Sequence, residues 1–152
     1  MKSYSLFAIA FFVGGTTAHC QTLDQQERCA MQAKRSFQER QARDLAEQKQ
    51  MGGTSQRFSS DYQSHYYTKT GKCLMLVETT EMTAFGNSAT TAYLIDANEG
   101  RPYASYEWMS RKDKKYWEVP PTVCELSPSL LDKRNCKTRE EFDAFVAGYL
   151  EE

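Results

Sequence analysis

Few residues in this chain have the chemistry for catalysis. His65, in Ser64-His65-Tyr66-Tyr67, is the side chain from which a general base would be drawn at neutral pH. Alternation along an extended segment sends it to the face opposite Ser64 and Tyr66, so no neighbouring hydroxyl lines up as its nucleophile. A histidine resting on the strand surface, or one held structurally by a hydrogen bond, is the expected role. Glu78, Glu81, Asp96, Glu99 and Glu107 would supply the acid and base pair that sugar hydrolysis needs. Carboxylates at sheet edges and turns serve solubility just as well, and their spacing singles out no pair. A small secreted hydrolase working through His65 or such a pair is the alternative reading, and no catalytic residue is assigned.

Binding chemistry is better represented. In Arg111-Lys112-Asp113-Lys114-Lys115-Tyr116-Trp117 cations stand beside aromatics, a composition that suits a polyanion. The segment is short and Glu118 follows it, so a solvated connection with Trp117 turned into the core is expected instead. Tyr62, Tyr66, Tyr67, Tyr93, Tyr103 and Tyr106 form a larger set. Tyrosines projecting from one sheet face make contact area at little entropic cost, which makes Tyr62, Tyr66 and Tyr106 the candidate binding surface. The leading expectation is a non-catalytic module whose partner is a protein or a cell-envelope component. No phosphate-cradling Gly loop, nucleophile elbow or dinucleotide fingerprint is present, and no cofactor is expected.

The start of the chain sets the compartment. Lys2 precedes an apolar run from Leu6 to Val13, then Gly14-Gly15 and the small residues Thr16-Thr17-Ala18, the layout of a secretory signal peptide over 1–20. That run is about half of the roughly 20 residues a spanning helix needs. Nothing later is as hydrophobic, so no transmembrane segment is expected after cleavage and the address is secreted or periplasmic. Cutting after Ala18 would leave five cysteines; cutting after Cys20 leaves Cys29, Cys73, Cys124 and Cys136, and the even number favours the later cut where thiols oxidise. A third reading makes Cys20 the lipid-bearing first residue of a membrane-tethered lipoprotein, against which stands the bulky His19 before it. Lys2 is the only charge in the leader, so its removal takes the 19 basic residues to 18 against 20 acidic ones. Such near-balance gives no general attraction to nucleic acid, and none is expected as partner.

Cys124 and Cys136 bracket a turn-rich loop, and a local bridge there would close about 13 residues for roughly 3 kcal/mol on chain-entropy reasoning. Cys29 and Cys73 would then pair across about 45 residues for roughly 4 kcal/mol. Four cysteines can pair in other ways. Without any C-x-x-C, and with two histidines in the whole chain, a zinc or redox site is disfavoured.

These residues need a frame. From Thr22 to Met51 the chain is rich in Gln, Glu, Arg and Ala with no Gly or Pro, which predicts a long helix over 22–51. Its stripe of Ala30, Ala33 and Phe37 is narrow and Leu45 falls out of step, so the second half should be solvated. The period then changes to two, predicting a β-meander over 61–119. Lys69-Thr70-Gly71 and Asn98-Glu99-Gly100 are hairpin connections, Leu74-Met75-Leu76-Val77 is a central strand apolar on both faces, and Tyr116 to Val119 is a further short strand or edge. Thr138 and Glu141 make a capping-box pair ahead of Phe142, Phe145, Val146, Tyr149 and Leu150, one apolar face of a helix over 138–150.

Together these predict one globular α+β domain over 21–152. Its antiparallel meander has four or five strands, a long N-terminal and a short C-terminal helix cover one sheet face, and two disulfides staple it. The stretches Ser64-His-Tyr66 to Lys72-Cys73, Tyr93 to Ala97 with Glu99-Gly100, Tyr103-Ala-Ser-Tyr106, Lys115 to Pro121 with Cys124, and Glu141 to Val146 resemble an uncharacterised family of small bacterial secreted and periplasmic proteins. Tyr67 departs from that family, which more often has Asn there. The resemblance implies a bacterial origin and a periplasmic or outer-surface address, and it brings no activity and no functional residue with it.

Overall fold

Leu74-Met75-Leu76-Val77 is apolar at every position because its strand is covered on both faces. Leu74 and Leu76 look into one core with Ala92, Leu94, Tyr106, Phe142 and Val146, whereas Cys73, Met75 and Val77 look into a second with Cys29, Ala33 and Ile95. The structure, a computed structural model, describes residues 17–50, 56–129 and 131–151. The leader up to Thr16 and the Cys20 side chain, with the cleavage and lipidation readings that depend on them, lie outside the described residues.

The elements are α1 (Thr17–Gln50), β1 (Gln56–Tyr67), β2 (Lys72–Met82), β3 (Ser88–Asp96), β4 (Pro102–Met109), a 3₁₀ turn (Tyr116–Glu118), β5 (Val123–Leu126), β6 (Arg134–Asn135) and α2 (Arg139–Leu150). The fold is α+β, and the strands form one antiparallel meander in the order β1-β2-β3-β4-β5-β6. Six strands replace the expected four or five. β6 is only two residues long, too short for a period, and it lies along β5 beside the Cys124–Cys136 bridge, where the Cys136 N–H donates to the Cys124 carbonyl at 2.9 Å. The other bridge is Cys29–Cys73, so both expected pairings are present.

Two expectations are corrected here. The helices do not share a face: α1 sits on the side of Cys73, Met75 and Val77, and α2 on the side of Leu74 and Leu76. A central strand apolar on both sides needs a cover on each, and one helix supplies each. Tyr116 to Val119 is also no strand. Local bonds satisfy its backbone, with Glu118 N–H on the Lys115 carbonyl at 3.0 Å and Lys115 N–H on the Glu118 carboxylate at 2.9 Å. The place beside β4 belongs to β5, and the Thr122 N–H and hydroxyl both donate to the Glu107 carbonyl as the chain enters it.

Helix α1 docks by Cys29, Ala33 and Phe37, spaced at i, i+4 and i+8; Ala30, one residue away, is exposed. Beyond Gln41 the helix is solvated, as its out-of-step Leu45 indicated, with residues 42–47 all exposed. In α2 the Thr138 hydroxyl accepts from the Glu141 N–H at 3.3 Å, and the Glu141 carboxylate reaches back to the N–H of Lys137, one residue before the cap. Phe142 and Val146 are buried, and Phe145, Tyr149 and Leu150 pack beside them.

One irregularity positions the functional candidate. Leu94 pairs with Ala104 but Ile95 pairs with Pro102, so Tyr103 is an extra residue on β4. Strict alternation would send Tyr103 to the α1 side with Ser105 and Glu107. The bulge turns it to the α2 side, where it and Ala104 are both buried in the same core.

Candidate functional site

Three tyrosines from three elements meet at the end of α2. Tyr67 ends β1, Tyr103 is the bulged residue of β4, and Tyr149 lies in the last turn of α2. The Tyr149 ring centroid is 5.0 Å from that of Tyr67 and 5.7 Å from that of Tyr103, and Phe145 backs it at 5.0 Å. Together with Thr70, Lys72, Arg101, Ser129 and Leu131 the three rings line a cleft of about 690 Å³. That is the size range of small-ligand sites, and its walls are largely apolar, with the three rings among them.

Electrostatics at the cleft are uneven. Lys72 is engaged, pairing with Glu99 and standing 3.3 Å from Asp96, and the bond to Glu99 leads in raising its pKa. Asp96 is buried, and its other oxygen accepts from the N–H groups of Asn98 at 2.8 Å and Glu99 at 3.1 Å, shaping the β3–β4 turn. Arg101 lies over the Tyr103 ring, 4.8 Å from its centroid, and its Nη2 is buried without a hydrogen-bond partner. Burial, then the neighbouring Tyr67 and Tyr103, push the Tyr149 phenol up, while the charges of Arg101 and Arg134 pull it down.

The expected surface of Tyr62, Tyr66 and Tyr106 does not form. Tyr62 and Tyr66 pair with Val77 and Cys73 and so face α1, Tyr62 packing on Phe37 at 4.6 Å and the Tyr66 N–H donating to Gln26 at 2.8 Å. Tyr106 faces the other way and is 2% exposed, under α2 against Phe142 at 5.6 Å. It pairs with Ala92, on the opposite side of the sheet from Tyr93, so the period of two separates it from the other pair.

His65 is opposite Leu74 and its Nε2 has no hydrogen-bond partner among the described residues. The five carboxylates do not gather at one site: Asp96 and Glu99 meet on Lys72, and the other three lie apart from them. Glu78 pairs with Arg139, Glu107 accepts from the Tyr93 hydroxyl at 2.6 Å, Glu99 holds Lys72, Asp96 is inside its turn, and Glu81 lies at the far end of β2. Trp117 does not turn inward but is 76% exposed with Lys115 over its ring, because the 3₁₀ turn carries it outward. Trp108 packs inward in its stead, its indole N–H on the Val119 carbonyl at 3.0 Å. Among the described residues no group of three His, Cys, Asp or Glu is placed to hold a metal ion.

No protein-family model, curated protein or solved structure matches the chain. The reading of the cleft therefore rests on its own residues. Tyr67 and Tyr103 belonged to the tyrosine set singled out from sequence, and Tyr149 to the apolar face of α2. What would have joined them is the bulge at Tyr103, for which Pro102 after the turn is the available signal, since proline interrupts a regular ladder.

Proposed function

We propose that the protein is a non-catalytic binding module acting outside the cytosol, and that its ligand, part of a protein or of a cell-envelope component, is held between Tyr67, Tyr103 and Tyr149. One observation carries the reading: tyrosines from three separate elements converge on a single cleft whose lining, among the described residues, has hydroxyls on Thr70 and Ser129 but no histidine or carboxylate to activate them. Tyrosine rings are rigid and amphipathic, so ordering a ligand against them costs little side-chain entropy. The address is supported by the leader layout of residues 1–20 and by two disulfides, a covalent economy suited to oxidising compartments.

The test is a nitrogen-15 NMR screen of the oxidised protein against a panel of small ring compounds. Hits should move the amides of Thr70, Arg101, Ser129 and Leu131 together. Hits spread over the surface, or gathered on the α1 side, would refute the assignment of the cleft. Intact mass of exported protein tests the address: cleavage after Cys20 and four hydrogens lost to two bridges are expected, and a retained leader with free thiols would overturn it.

A further inference from the structure

Resting on the reading of this cleft as the binding site, we infer that its ligand joins a flat ring to a carboxylate, and that Arg101 is the partner of that carboxylate. Among the described residues the lining contains two cations, Lys72 and Arg101, and no carboxylate, in a chain whose formal charge is −1. The two cations differ. Lys72 is already neutralised by Glu99 and Asp96 at the rim. Arg101 makes no ion pair among the described residues, and its buried Nη2 has no acceptor.

A guanidinium donor buried without an acceptor forfeits its hydration and gains nothing for it, so its resting place is poorly compensated. The contact with Tyr103, 4.8 Å to the ring centroid, uses the cation's attraction to the ring and leaves its hydrogen-bonding demand unmet. Nη2 is shielded where it lies, so an acceptor reaches it as the side chain turns off the ring toward the cleft. A carboxylate offers what that movement gives up and more, because a guanidinium fork and a carboxylate match in pairs of charge-assisted hydrogen bonds.

Two further observations set the ligand's shape and charge. The walls are the planes of Tyr67, Tyr103 and Tyr149, which accept a flat body by offset or edge-on ring contact. Arg134 lies over Phe145, behind Tyr149, without an ion pair among the described residues, and its charge acts on the Tyr149 hydroxyl together with that of Arg101. Among the described residues that line the cleft, Arg101 is thus the one cation that lacks a counter-charge. That matches a single negative charge, a carboxylate, better than a doubly charged phosphate.

The experiment titrates the oxidised protein, followed by nitrogen-15 NMR at low salt, with benzoate, benzamide and phenyl phosphate. Benzoate should bind on the order of tenfold more tightly than benzamide, the scale of one additional charge-assisted interaction. In Arg101→Gln benzoate should bind no more tightly than benzamide binds to the same variant, and Arg101→Lys should restore part of the difference. A benzoate preference that survives Arg101→Gln, equal binding of benzoate and benzamide, or tighter binding of phenyl phosphate would each overturn the inference. If the two neutral and charged rings bind the cleft equally, the binding-module reading survives alone; if neither moves the cleft amides, both fall.

Discussion

Cys29 of α1 and Cys73 at the head of β2 are bonded across a Cα separation of 5.2 Å, within the contact between helix and sheet. Around the bridge Ala33 is, among the described residues, the one fully buried on the helix, with Phe37 on Tyr62, Gln26 on the Tyr66 N–H and Asp44 paired with Arg57 as further ties. The Cys29→Ser/Cys73→Ser pair should therefore act locally as well as globally. Loss of roughly 4 kcal/mol is expected from loop entropy. Hydrogen exchange should show residues 23–40 losing protection while β2, β3 and α2 keep theirs. An α1 that stays as protected as the sheet would show that side-chain packing alone suffices.

Arg139 ties α2 to the sheet from its first turn. It pairs with Glu78 of β2 and with Asp143 at 2.7 Å, and it covers the rings of Tyr106 and Phe142 at 5.3 and 5.6 Å. Burial pulls its pKa down, but the bonds to Glu78 and Asp143 and the charges of both prevail and leave it raised. Arg139→Ala should cost about 1–3 kcal/mol, since both a charge-assisted pair and cation–π contacts go. Glu78→Gln should cost less, because the ring contacts stay. Urea midpoints of the two single variants and the double variant check this, and equal costs would mean the rings gain nothing from the cation.

Legibility from sequence followed how local the determinant was. The hairpins at Gly71 and Gly100 were readable because their backbones sit at φ 66° and 68°, which glycine adopts without strain. Thr138 and Glu141 likewise announced α2, and the nearest-neighbour bridge at Cys124–Cys136 left Cys29 and Cys73 to each other. Which face each helix covers was not readable, because Leu74 to Val77 is equally apolar on both. Nor was the cleft, which depends on a single extra residue at Tyr103 and on Tyr149, more than forty positions away. Trp117 was misplaced for a similar reason: its outward turn depends on Glu118 binding the Lys115 N–H rather than on any alternation.

Asp96 should be the costliest single carboxylate to remove. Its buried side chain accepts two backbone N–H groups in the β3–β4 turn, immediately before the cleft residues Arg101 and Tyr103. Asp96→Ala should cost about 2–3 kcal/mol, the scale of hydrogen bonds to a charged acceptor. Asp96→Asn should cost less, because the amide oxygen can still receive those N–H groups. The amide shifts of Asn98 and Glu99 should be kept in the Asn variant and lost in the Ala variant; an Ala variant as stable as the parent would show the turn to be held by its backbone alone.

Alkaline titration tests the tyrosine cores on both faces at once. Burial first, then a bond to Glu107, raises the Tyr93 phenol; burial, then a bond to Tyr116, raises Tyr106; burial leads again for Tyr149. Each folded pKa lies above the unfolded value of about 10, so the stabilisation is complete below about pH 10. As pH climbs above that value the unfolded chain releases protons that the fold retains, and stability should fall by up to about 1.4 kcal/mol per pH unit for each such phenol. Tyr93 and Tyr106 should give no phenolate absorbance until the far-ultraviolet signal of the fold collapses, and Tyr149 should ionise later than an ordinary phenol. Tyr93→Phe keeps the buried ring but removes one titrating proton, and the alkaline slope should flatten accordingly. If every phenol instead ionised in one smooth step near the ordinary value with the fold intact, the tyrosines on both sheet faces would have to be open to solvent.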